Sequence, residues 1–87
     1  MAKTIKKIRT LTKNQIVVSF TDGSEVFNSY GKNIVEYTGK GTIYFDTNYW
    51  DYSTTTSKWR NKYMGVDSKW VKDAIKNKII KFKNLNK

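Results

Sequence analysis

The most constraining feature of the sequence is a series of closely spaced turn signals in its first half. Asp22-Gly23 is typical of a two-residue hairpin turn, and further turns are predicted at Gly31-Lys32-Asn33 and Gly39-Lys40-Gly41. The turns follow one another at short intervals, which favours short strands. They predict antiparallel strands that follow one another along the chain as a meander.

The strands themselves are predicted from apolar residues that alternate with less apolar ones beside the turns. The predicted strands cover 4–11, 16–20, a return strand opening at 26–27, then 34–37 and 42–46. The first is ambiguous, because Ile5, Ile8 and Leu11 also have the spacing of a helical face. Its β-branched residues and the adjacent Lys13-Asn14 turn favour a strand.

In the second half of the chain the apolar period changes from two to 3.6. Thr56, Trp59 and Tyr63 lie at i, i+3 and i+7, which places them on one face of a helix. A hydroxyl residue of segment 53–55 is the expected N-cap, and Gly65 is the expected left-handed C-terminal cap. This period predicts a helix where the first half of the chain predicts strands.

Two helices are predicted from this period, over 58–64 and over 68–76, with the second ending near Asn77. Trp59 and Trp70 share apolar stripes with their helical neighbours, so we expect both to pack toward the sheet. The fold class is therefore α+β: an antiparallel meander sheet of four to six strands, with two short helices packed on one face.

The chain closes with a further predicted strand over 79–85, and its last few residues are expected to fray. With 87 residues in all, we expect 1–87 to form a single small domain. Cysteine is absent, which suits a reducing cytosol. The chain also lacks an apolar run long enough for a secretory signal or a membrane span, so we expect a soluble intracellular protein.

Charge is distributed unevenly along the chain. Residues 1–13 carry five basic and no acidic groups, 14–57 carry two basic and five acidic, and 58–87 carry ten basic and two acidic, for a net charge of +10. A charge of this size on a small protein attracts polyanions. Fifteen of the 17 cations are lysines, which favours contacts to phosphate over the reading of base edges.

The predicted helices concentrate these lysines. Lys58 and Lys62 lie at i, i+4, and Lys69, Lys72 and Lys76 lie at i, i+3 and i+7, so like charges repel one another unless an anionic partner is bound. Hydroxyls at the first helix start add a competent phosphate site. The candidate nucleic-acid or partner-binding residues are Thr55, Ser57, Lys58, Arg60, Lys62, Lys69, Lys72 and Lys76.

Simpler interpretations of the same residues stay open. The lysine rows are also explained as solvated helix faces, the hydroxyl run as a helix cap, and the neighbouring aromatic residues as core. A single basic region also depends on the topology. Lys6, Lys7 and Arg9 join the helix lysines only if the final strand returns beside the first strand or beside the helices.

The residue inventory argues against catalysis. The chain has no histidine and no cysteine, which excludes the usual acid/base and nucleophilic groups and ordinary zinc sites. Asp51 with Asp67 and Lys69 loosely resembles the carboxylate and lysine arrangement of metal-dependent nucleases, but Asp67 is more simply a helix cap. We expect no enzymatic activity, no cofactor and no metal site.

Three segments carry a resemblance to a known group of proteins: FNSYGKNIV, TIYFDTNYWDYSTTTSKWRNKYMG and the closing KIIKFKNLN. Over about residues 15–86 the chain resembles small, largely uncharacterised bacteriophage proteins. The resemblance implies a phage origin, a small α+β fold and the cytoplasm of an infected bacterial host. It assigns no residue a role, because that group has no established chemistry. In size and context the chain is similar to counter-defence proteins such as anti-CRISPR proteins, and to small nucleic-acid-binding proteins.

Three functions are compatible with these features. The favoured one is binding to nucleic acid, free or within a host defence complex of the CRISPR type, which the protein would inhibit or modulate. The second is an inhibitor whose basic face docks on an acidic surface of a bacterial enzyme. The third is a nucleotide-binding sponge or a metal-dependent nuclease. The sequence does not separate the first two, because a polyanion and an acidic protein require the same lysines, and it leaves the oligomeric state open.

Overall fold

The computed structural model describes residues 4–86, which form a six-stranded sheet and two helices. The elements are β1 Ile5–Thr12, β2 Gln15–Phe20, β3 Glu25–Ser29, β4 Lys32–Tyr37, β5 Ile43–Asp46, α1 Thr54–Met64, α2 Ser68–Lys76 and β6 Ile80–Lys83. The strands lie side by side in chain order. The predicted α+β fold, with its two helices and its final strand near the C-terminus, is confirmed.

The sheet is an antiparallel meander from β1 to β5 and ends with a parallel pair. β6 runs parallel to β5, with Ile43 opposite Ile80 and Phe45 opposite Phe82. A parallel neighbour needs a crossover connection, and α1 and α2 together provide it. The turn signals of the first half of the chain carry no information about this last pairing.

Two of the hairpin loops have the same conformation. Phe20 N donates to Ser24 O at 2.9 Å, and Gly23 has a φ of 88°. In the later hairpin Thr38 N donates to Thr42 O at 2.9 Å, and Gly41 also has a φ of 88°. Each loop therefore has three residues and ends in a left-handed glycine. The two-residue turn predicted at Asp22-Gly23 is one residue too short.

The loop between β3 and β4 is tighter and begins earlier than predicted. Ser29 pairs with Lys32, so the loop consists of Tyr30 and Gly31 alone, whose φ angles are 52° and 81°. Lys32 and Asn33, which were predicted to be part of this turn, already belong to β4. Positive φ at both central residues characterises the two-residue loops whose twist matches the flanking strands.

Both helices are capped by side chains at their N-termini. α1 begins four residues before the predicted start, because Ser53 Oγ accepts a hydrogen bond from Thr56 N at 3.0 Å. It ends at Gly65, whose φ of 73° confirms the predicted left-handed cap. α2 covers the predicted range and ends near Asn77, as predicted; the left-handed residue after it is Lys78, with a φ of 60°.

The core lies between the helices and one face of the sheet. Its buried apolar residues are Val17, Phe27, Ile34, Val35, Phe45, Val71, Ala74 and Ile80. The Phe27 ring stacks on Tyr63 of α1 with centroids 5.3 Å apart. Val71 and Ala74 of α2 belong to the same cluster. Both helices therefore cover the same face, as predicted.

The two helical tryptophans differ in their environments. Trp59 is half-buried and packs against the core, which confirms its prediction. Trp70 is 39% exposed, so the prediction that it packs toward the sheet is wrong. The apolar stripe of α2 is completed by Val71 and Ala74, each 2% exposed, which leaves Trp70 at the edge of that stripe.

The C-terminal segment is held in place up to Asn86. The Asn86 side chain accepts a hydrogen bond from Asn33 N at 2.7 Å and donates one to Asn33 O at 3.0 Å, in the manner of an added strand residue. Leu85 N donates to Asp46 Oδ1 at 2.7 Å. The predicted fraying is therefore wrong for these residues.

The sheet order separates the basic segments of the chain. β1 and β6 form opposite edges of the sheet, so Lys6 and Lys7 do not lie beside Lys81 and Lys83; of the two alternatives for the final strand, the structure shows the one beside the helices. β6 lies instead next to β5 and against α2. The helix lysines must therefore be considered by themselves.

Within residues 4–86, neither helix has the length and apolar character needed to cross a membrane.

Candidate nucleic-acid interface

The outer side of α1 is basic because the inner side is fixed by packing. Thr56 and Arg60 are buried, and the Thr56 hydroxyl lies 2.9 Å from the Ser29 hydroxyl of β3. Lys58 and Lys62 lie on the side of the helix opposite to Thr56 and Arg60, and both are exposed. The predicted pair at i, i+4 therefore faces solvent.

The outer side of α2 follows the same logic. Val71 and Ala74 face the core, so Lys69, Lys72 and Lys76 are exposed. Because both helices lie on one face of the sheet, their outer sides point away from it together. We call this surface the lysine face; its members are Lys58, Lys62, Lys69, Lys72 and Lys76.

Acidic residues on the two helices are few. Asp67 is the N-cap of α2, where its carboxylate accepts a hydrogen bond from Trp70 N at 2.8 Å. Asp73 is the second acidic residue between 54 and 76, and it is exposed. Five exposed lysines therefore share the helical layer with two carboxylates, one of which is engaged in capping.

Arg60 differs from the other basic residues predicted for the site. It is 2% exposed, and its guanidinium lies over the rings of Phe45 and Trp50 at 5.3 and 5.4 Å. Nη1 donates to Trp50 O at 2.5 Å and pairs with Asp51 at 3.4 Å. Burial lowers the Arg60 pKa, and Asp51 offsets part of that effect. The structure gives Arg60 a packing role instead of the surface contact predicted for it.

Arg60 also connects the two helices. Its Nε and Nη2 donate to Asn61 Oδ1 at 3.2 and 2.9 Å, and Asn61 Nδ2 donates to Ser68 Oγ at 3.2 Å. Ser68 is the first residue of α2. This chain of hydrogen bonds fixes the start of α2 against the middle of α1, and so sets the relative position of the lysines on both.

The hydroxyls at the start of α1 are less available than the sequence suggests. Thr55 is exposed, but Ser57 Oγ donates to Asp51 Oδ1. A surface depression of about 610 Å³ at this helix end is lined by Asp51 as well as by Lys58. The Asp51 carboxylate already provides the negative charge that the N-terminus of α1 favours. The predicted phosphate site at this end therefore has a resident anionic group.

A second depression lies between the helices. We call it the interhelical cleft; it has a volume of about 680 Å³ and is lined by Asn61, Lys62, Gly65, Val66, Asp67 and Trp70. Its aromatic wall is Trp70, which the sequence pattern assigned to the core. Trp70 lies 100° around the helix from Val71, at the edge of the apolar stripe of α2, and this position is the one sequence signal that could have indicated its exposure.

The two carboxylates considered for a nuclease site both have structural partners. Asp51 binds Ser57 and Arg60, and Asp67 caps α2. Across residues 4–86 the structure contains no group of three or more acidic side chains placed to hold a metal ion.

Comparison with known proteins places the chain in a family. Residues 2–81 match a family of unknown function, DUF8033. The chain belongs to this family. No curated protein and no solved structure matches it. The description of DUF8033 names no activity and no source, so the phage origin and the counter-defence role stay predictions.

Proposed function

We propose that this DUF8033 protein binds nucleic acid through the lysine face. The observation that carries the proposal is the exposure of five lysines on the outer side of the helical layer, where Asp73 is the one exposed carboxylate not used as a cap among residues 54–76. Lysine ammonium groups bind phosphate as point charges and release the counterions condensed on the polymer. The binding is therefore electrostatic and largely independent of sequence.

The arrangement also provides rigidity. The Arg60, Asn61 and Ser68 hydrogen bonds fix one helix against the other. Lys62 Nζ lies 4.8 Å from the centre of the Trp59 ring, a cation–π contact that restricts this side chain. Lysines held on fixed helices lose less conformational entropy on binding than lysines on a mobile tail.

The direct test is fluorescence anisotropy with a labelled oligonucleotide at low salt. The helix variant carries four charge reversals to Glu, at Lys58, Lys62, Lys69 and Lys72. The control variant carries four reversals to Glu away from the helical layer, at Lys6, Lys13, Lys40 and Lys81, all of which are exposed. Both variants change the net charge equally, and thermal unfolding confirms that both are folded.

We expect the helix variant to lose binding and the control variant to keep most of it. Raising the salt concentration from about 50 to about 200 mM should weaken wild-type binding steeply, because each phosphate contact contributes about 0.7 to 0.9 to the log–log slope. Equal loss in both variants would show that total charge alone matters. A wild-type protein that does not bind at the lower salt concentration would overturn the proposal and direct attention to an acidic protein partner.

A further inference from the structure

Trp70 is the feature that the lysine face alone does not explain. Its side chain is 39% exposed on a well-formed helix, whereas Trp50 and Trp59 are half-buried against the core. Phosphate contacts need no aromatic group, so an exposed indole within a basic surface indicates a second kind of contact.

The surroundings of Trp70 suit a flat ring. It lines the interhelical cleft of about 680 Å³ together with Lys62, the small residue Gly65 and the N-cap residue Asp67. Lys69 precedes Trp70 on α2 and is exposed. One lysine that lines the cleft and one that adjoins Trp70 in the chain therefore accompany an accessible aromatic surface, and proteins use this combination to bind single strands.

Trp70 is also held on a rigid element. Its backbone N–H donates to the Asp67 carboxylate at 2.8 Å in the N-cap of α2, and the following residue, Val71, is buried in the core. Asn61, which also lines the cleft, donates a hydrogen bond from Nδ2 to Ser68 Oγ at the start of α2. The backbone of Trp70 is thus held in place before any ligand binds.

We propose that the ligand class is single-stranded nucleic acid, with an unpaired base stacked on Trp70 in the interhelical cleft and the adjoining phosphates on Lys62 and Lys69. This inference rests on the proposed function. In a duplex the base faces are already stacked on one another, so a duplex contacts only the lysines. A single strand makes both contacts and binds more tightly at equal charge.

The experiment compares three labelled ligands with equal numbers of phosphates at one salt concentration: an oligothymidylate, a duplex of half that length, and an abasic strand that keeps the sugar–phosphate chain but has no bases. Wild type is measured beside Trp70→Leu, which removes the aromatic face, and Trp70→Phe, which keeps one. Tyr30→Leu is the matched control, because it removes an exposed aromatic ring that lies in the loop between β3 and β4 and outside the lysine face.

Oligothymidylate should bind wild type most tightly. Trp70→Leu should weaken its binding by roughly 5- to 150-fold, the range that corresponds to one base stacked on an aromatic side chain. The same substitution should leave duplex and abasic binding unchanged. Trp70→Phe should retain most of the affinity, and Tyr30→Leu should bind like wild type.

The outcomes separate this inference from the proposed function. If wild type binds no ligand, the proposed function fails. If it binds all three ligands equally, or if Trp70→Leu weakens all three alike, the lysine face stands and the stacking site is overturned. Should Trp70→Leu fail to fold, equal binding of oligothymidylate and the abasic strand to wild type would still overturn the stacking site.

Discussion

Two residues other than glycine have a positive φ in the described part of the chain, Tyr30 and Lys78. Tyr30 is the first residue of a two-residue hairpin loop, where asparagine is strongly preferred, and the left-handed conformation costs an ordinary residue roughly 1 to 2 kcal/mol. Its side chain is half-exposed, so little packing is lost on substitution. We predict that Tyr30→Asn raises the melting temperature by several degrees. A lower melting temperature would show that the tyrosine ring contributes more than the backbone strain costs.

Lys78 provides a second test at the same scale, because it occupies at the end of α2 the position that Gly65 occupies at the end of α1. In each helix the left-handed residue and the residue after it donate to carbonyls of the last turn. We predict that Lys78→Gly stabilises the protein by about 1 kcal/mol and that Gly65→Ala destabilises it by a similar amount. Denaturant midpoints measure both. If both substitutions stabilised the protein, or if both destabilised it, this account of the helix ends would be contradicted.

At the scale of elements, α1 is joined to the sheet by a partly buried hydrogen bond from Tyr63 to Glu25. Tyr63 OH donates to Glu25 Oε1 at 2.6 Å, and burial together with this carboxylate raises the Tyr63 pKa above its ordinary value of 10.0. The unfolded chain loses the phenolic proton from about pH 10 upward while the folded chain keeps it. The resulting stability is complete below about pH 10 and is lost above it.

Tyr63→Phe tests this link between α1 and β3. At neutral pH the variant should be less stable by about 1 to 3 kcal/mol, because a hydrogen bond to a charged group is lost. Between about pH 9 and pH 11 its stability should fall less than that of wild type, so the two urea midpoints converge. Parallel decline of the two proteins would show that Tyr63 ionises equally in the folded and unfolded states.

The elements also show which parts of the fold a sequence can predict. Local signals were sufficient where one segment determines the result: the strands of the meander, the range of α2, and the cap at Gly65. They were insufficient where distant segments meet. The parallel pairing of β6 and the hydrogen bonds between Asn86 and Asn33 depend on partners far away in the chain.

The candidate site divides in the same way. Helical periodicity predicted the lysine rows, and the structure places all five on the exposed side. It failed for Arg60, which is buried over Trp50, and for Trp70, which is exposed. A helical wheel gives the angle between side chains but not the depth to which a neighbouring element covers them, so residues at the edge of a stripe stay ambiguous.

At the scale of the whole molecule, the net charge of +10 on a body with a radius of gyration of 12.3 Å has two opposed effects. Mutual repulsion of the lysines destabilises the compact state, and salt screens it. The same lysines attract a polyanion, and salt weakens that attraction. We therefore expect added salt to raise the melting temperature of the free protein while it lowers the affinity for nucleic acid.

Lys72 tests both effects with one substitution. It lies three residues after Lys69 and four before Lys76, and all three side chains are exposed. Lys72→Glu replaces two repulsive pairs with two attractive ones, including a favourable Glu to Lys pair at i, i+4. The free variant should melt at a higher temperature than wild type at low salt, with the difference shrinking as salt is added, while its affinity for nucleic acid falls.

Lys72→Gln should lie between wild type and Lys72→Glu in both melting temperature and affinity. A variant that is more stable yet binds as tightly as wild type would remove Lys72 from the lysine face, because the repulsion would then be unrelated to binding.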